Sequence, residues 1–134
     1  MTTNANIIDT YTARQALEDG IWIDPAVQTG EDLAGHLGFP IPIFVTCGVW
    51  ADLVAVPACA PWQDVTGRLW DLLWMLRCAV LKPGNAEETL ITVELLATHR
   101  EAMEPNPTLH RVWAEVVQDP ELGAAIVLMW PRER

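Results

Sequence analysis

The sequence predicts an α+β fold: short N-terminal helices and one long central helix packed on a small antiparallel β-meander. Two observations carry this. Helical periodicity dominates the first 81 residues and culminates in "GRLWDLLWMLRCAV" (Gly67 to Val80), whereas β-branched runs take over from "TLITVELLAT" (Thr89 to Thr98) onward. The chain has 134 residues, the length of one ordinary domain, and it is read as a single globular domain spanning 1–134. Apolar residues make up 51% and charged residues 19%, which excludes general disorder.

Each element follows in order. "DTYTARQALEDG" offers Thr12 as N-cap, Ala13, Ala16 and Leu17 at helical spacing and Gly20 as a stop. "IWID" is a brief extended segment, and "GEDLAGHLG" is a short helix closed by Gly38. "FPIPIFV" starts extended because Pro40 and Pro42 disfavour helix at the residues before them. Thr46 then caps "CGVWADLVAV", where Val49, Trp50, Leu53 and Val54 share a face.

After the loop "PACAPWQD", Asp64 or Thr66 starts the main helix, and "KPG" ends it. Counting about 100° per residue from Leu69, the residues Leu72, Leu73, Leu76 and Val80 lie within about 60° and form the core stripe. Trp70, Trp74, Arg77 and Leu81 lie at about 80° to 140°, a second flank beside it. The helix is therefore expected to be covered on most sides, with Trp70 and Trp74 holding the sheet. The alternative leaves them in an exposed patch with Arg77, residue types that dominate binding energy at interfaces. "TLHRVWAEVV" (Thr108 to Val117) fits the helix period through Leu109, Val112, Trp113, Val116 and Val117, and periodicity leaves it open between helix and strand. "QDPELG" is a turn, and "AAIVLMW" a short apolar run stopped by Pro131.

Charge and motifs restrict function. With 8 basic and 18 acidic residues the net charge is −10, which opposes direct contact with nucleic acid or an anionic membrane. No apolar run reaches the roughly 18 residues of a membrane span, and "MTTNANIIDT" resembles no leader, so a cytoplasmic location is expected. Cys47, Cys59 and Cys78 have no CxxC spacing and read as reduced thiols. His36, His99 and His110 form no metal-ligand pair, and phosphate-loop, dinucleotide and GxSxG motifs are absent, so no cofactor or metal is expected. A nucleophile pair of Cys47 with His99 or His110 is the residual enzymatic reading. Asp64 is read as a helix cap and Asp71 as facing water, in preference to a catalytic acid and base.

At "YTARQALEDGIWID", "GFPIPIFVTCGVW" and "GRLWDLLWMLRCAV" the chain resembles a family of small proteins of unassigned activity carried by bacterial plasmids, phages and other mobile elements. Order, spacing and the rare Trp positions agree over about Tyr11 to Leu81. The resemblance implies strands after the main helix, which tips 108–117 towards a strand, and it implies an accessory protein of a mobile element. The leading expectation is thus an acidic, non-enzymatic protein binder that inhibits a host defence complex, such as a CRISPR effector, by anti-CRISPR-like action with DNA mimicry as one form. Trp62, Trp70, Trp74, Arg77, Glu87 and Glu88 are the candidate contacts, and Trp62, in a proline-flanked loop, is the best exposed anchor. Self-association as a homodimer is the alternative.

Overall fold

The computed structural model describes residues 11–134; residues 1–10 lie outside the described residues. Helix α1 (Ala13–Glu18) is capped by Thr12, whose hydroxyl accepts from the Gln15 N–H while the Gln15 side chain accepts from the Thr12 N–H. Gly20, at φ 74°, then turns the chain into β1 (Trp22–Ile23). Helix α2 (Pro25–Thr29) has no counterpart in the sequence reading, although Asp24 as cap followed by Pro25 is a helix-start signal. Helix α3 (Leu33–His36) starts at Asp32 and is followed by Gly38 at φ 88°, as its sequence suggests.

Strand β2 (Ile43–Thr46) leads into α4 (Cys47–Val49), capped by the Thr46 hydroxyl. α4 widens at once into a π turn (Trp50–Val54), closed by the Ala55 N–H donating to the Trp50 carbonyl at 2.8 Å. The long helix α5 (Val65–Val80) begins at Asp64, whose carboxylate accepts from the Gly67 N–H at 2.6 Å. Strands β3 (Leu90–Ala97), β4 (Thr108–Asp119) and β5 (Gly123–Met129) complete the chain before a last 3₁₀ turn (Pro131–Glu133).

The sheet order is β1-β2-β5-β4-β3. The antiparallel meander β3–β4–β5 forms as expected and is extended by β2, parallel to β5, and by β1. One face carries Ile43, Val45, Val93, Val112, Ala114, Ile126 and Leu128 against the Leu69, Leu72, Leu73 and Leu76 stripe of α5. The opposite face carries a smaller cluster, Phe44 and Ala125 with Trp22 and Val117, covered by Ala13 and Leu17 of α1.

This two-sided burial explains β4. Val112 and Ala114 face α5, while Val117 faces α1 and Trp113 lies beneath the Arg134 guanidinium, 6.0 Å from its ring centre. A strand apolar on both faces does not alternate, so its pattern mimics a helical one.

Candidate functional site

The outer side of α5 corrects the core reading of its tryptophans. Trp70 is 39% exposed, Trp74 44% and Leu81 65%. The sheet covers one face of α5, which the leucine stripe already fills, and among the described residues no strand packs over the flank at about 80° to 140°. Positions 70, 74, 77 and 81 instead form one outward ridge at i, i+4, i+7 and i+11. Arg77 lies over the Trp74 ring at 5.4 Å, a cation–π contact that orders both side chains on the surface.

Trp62 is 69% exposed, the most exposed of the tryptophans, and it precedes the start of α5. Glu87 and Glu88 are exposed and follow its end. The candidates therefore do not form one cluster: Trp62 and the glutamate pair sit beyond opposite ends of a helix of 16 residues, about 24 Å long. Beside the first turns of α5 lies a groove of about 710 Å³, walled by Asp64, Trp70 and Asp71 on the helix, by Leu96 on β3, and by Pro105 and Pro107. Asp71 is exposed to water, as its position predicts.

On the other side of α5, Arg68 is buried, which its polar character concealed. Its guanidinium donates to the carbonyls of Val54 (3.2 Å) and Thr98 (2.8 Å) and to Gln63 Oε1 (2.6 Å). Burial, its largest influence, lowers its pKa, opposed by the charge of Asp71. The side chain thus ties α5 to the π turn and to the end of β3.

A polar cluster not visible in the sequence centres on Asp52, a carboxylate 6% exposed within the π turn. Its Oδ2 accepts from Trp130 Nε1 at 3.0 Å and faces His99 Nε2 at 3.5 Å; Arg100 and Arg132 approach at 3.2 and 3.8 Å. The Glu101 N–H donates to His99 Nδ1 at 3.1 Å, so the His99 proton sits on Nε2, toward Asp52. His110 stands beside it, ring centres 5.6 Å apart, with Nε2 3.2 Å from the Ala97 carbonyl and 2.9 Å from the Thr108 hydroxyl. Burial is the largest influence on His110 and lowers its pKa.

The structure thus brings His99 and His110 together, but no hydrogen bond among the described residues joins either ring to Cys47, which is exposed on α4. What the cluster does in the fold is neutralise a buried carboxylate, joining the π turn to the β3–β4 loop and to the C-terminal turn. A lone Asp within the apolar run "CGVWADLVAV" was the signal for it. No group of three His, Cys, Asp or Glu among the described residues is placed to hold a metal ion, and no described helix is long and apolar enough to cross a membrane.

Comparison with family models, with characterised proteins and with solved structures finds no match for this chain.

Proposed function

We propose that the chain is a non-enzymatic protein-binding module that meets its partner through the outer ridge of α5. The observation that carries this is the exposure of Trp70, Trp74 and Leu81 on a helix whose other face already completes the core. Exposed aromatics beside an arginine are the residues that most often dominate binding energy once a partner excludes water from them. Asp71 next to the ridge, Glu87 and Glu88 beyond it and the net charge of −10 favour a partner with a basic rim around an apolar groove.

A nucleic-acid-handling host complex keeps a basic surface for its own ligand, and the resemblance of the sequence to mobile-element proteins favours an anti-defence role of that kind. The DNA-mimic form needs a row of free carboxylates. Eight of the 17 described are already held: Asp24, Asp32 and Asp64 as caps, Asp52 and Asp119 by buried hydrogen bonds, and Glu94, Glu115 and Glu121 by arginines. The ridge therefore carries the proposal.

The test is capture from a bacterial lysate, followed by titration of the purified captured protein against the wild type and the Trp70→Ala/Trp74→Ala variant. Each tryptophan should contribute about 2 kcal/mol, so the double variant should bind several hundred-fold more weakly. Equal affinity of variant and wild type would overturn the assignment of the ridge.

A further inference from the structure

We infer that β3 pairs with β3 of a second copy of this chain, joining two five-stranded sheets into one across a two-fold axis at Val93. β3 is an edge strand: it pairs with β4 on one side, and among the described residues no strand pairs with its other side. The Val116 N–H donates to the Thr89 carbonyl at 2.7 Å, which fixes the antiparallel alternation. Residues 91, 93, 95 and 97 then direct their backbone groups to β4, and Leu90, Thr92, Glu94 and Leu96 direct theirs outward.

This free edge lacks the devices that keep edges apart, having no proline, no lysine and no bulge. Its single charge, Glu94, is held by Arg111 at 3.1 Å on the outer face.

The sequence of the strand selects a second copy as occupant because it complements itself. Side chains that meet in a continuous sheet must lie on the same face, so a two-fold axis passes through one residue and not between two. With the axis at Val93, Thr92 meets Glu94 of the second copy, Leu90 meets Leu96, and Ile91 meets Leu95. Apolar thus meets apolar on both faces, and the carboxylate meets a hydroxyl. An axis one pair away, at Glu94, sets two carboxylates opposite each other and is disfavoured. Leu96, 65% exposed, gains a neighbour in the chosen register, and the second copy's Ile91 enters beside Leu95 in the groove walled by Trp70.

Two copies that each carry −10 repel at a distance, so this association tightens as salt rises, whereas attachment to a basic partner weakens. Sedimentation equilibrium of the full chain over a concentration series, at low and high salt, reads both. A monomer–dimer equilibrium that strengthens with salt is expected. Thr92→Pro removes only an outward N–H and leaves the ladder to β4 intact, so it should weaken the dimer about 10- to 100-fold with an unchanged circular dichroism spectrum. Leu96→Lys, at an exposed position, should do the same by placing a charge against Leu90 of the second copy. A monomer at all concentrations and salts, or a dimer indifferent to both folded variants, would overturn the inference. Of the ridge only Trp70 borders this seam, and neither substitution alters Trp74, Arg77 or Leu81, so the ridge is judged separately by the single variant Trp74→Ala.

Discussion

His110 shows how a single side chain couples the fold to pH. Burial, its largest influence, disfavours the imidazolium, as do His99 and Arg68 nearby, while the Ala97 carbonyl and Asp52 favour it; the net effect lowers its pKa. The unfolded chain, with an ordinary histidine pKa of about 6.5, therefore takes up a proton at a higher pH than the folded one. The contribution of His110 to stability is full above pH 6.5 and is lost as pH falls through its lowered folded value. Thermal unfolding followed at steps from pH 8 to 5 should show a midpoint that declines below about 6.5. His110→Gln, which keeps a donor for Ala97, should flatten that decline, and an unchanged slope would contradict the assignment. Neither His110 nor Asp52 was legible as a pair of neighbours, because they lie 58 positions apart and come near each other only where the start of β4 lies beside His99 and the π turn. The sequence displayed the anomaly of Asp52, one carboxylate in an apolar run, without the partners that resolve it.

At the scale of elements, α5 divides into a face that stabilises and a face that does not. The leucine stripe and the Asp64 cap were readable because both depend only on local spacing. The fate of the tryptophan flank was not, since periodicity gives the direction of a side chain and not what lies there. β4 shows the same boundary from the other side: its apolar positions suited a helix, and only the covers on both faces of the sheet explain them in a strand. A substitution series in urea should separate the two faces of α5. Leu73→Ala, fully buried, should cost about 2–5 kcal/mol. Asp64→Ala should cost about 1 kcal/mol by removing the hydrogen bond to the Gly67 N–H. Trp74→Ala should cost about 1 kcal/mol or less, although it removes the larger side chain, because nearly half of that ring is already in water. A loss at Trp74 equal to that at Leu73 would return the ring to the core and remove the basis of the proposed binding ridge.

Across the whole molecule the sheet is held from two sides that differ in strength. The α5 side has an extended apolar core; the α1 side has a small cluster, an exposed Arg14–Glu121 ion pair and one buried long-range polar tie. That tie is Asp119, at the end of β4, whose carboxylate accepts from the Ala13 N–H at 2.7 Å and, at 2.9 Å each, from the Glu121 and Leu122 N–H groups. These hydrogen bonds, that of Ala13 foremost, lower its pKa, so the tie holds at neutral pH and is released as acid protonates the carboxylate. The α+β layout was legible from the change in texture near residue 85, but the pairing of β2 with β5 was not. Parallel strands separated by α5 and two further strands leave no local signature. α1 depends on that pairing, because its apolar side rests on Phe44 of β2 and Ala125 of β5. Opening of α1 should therefore be a local event, independent of the α5 core. Asp119→Asn keeps the side-chain size but weakens its acceptance from three backbone donors. In hydrogen exchange, the amides of Ala16 and Leu17 should lose protection in this variant while those of Leu72 to Leu76 keep it. Uniform loss across both helices would show instead that the sheet and its two covers unfold as one unit, with α1 as integral to the fold as α5.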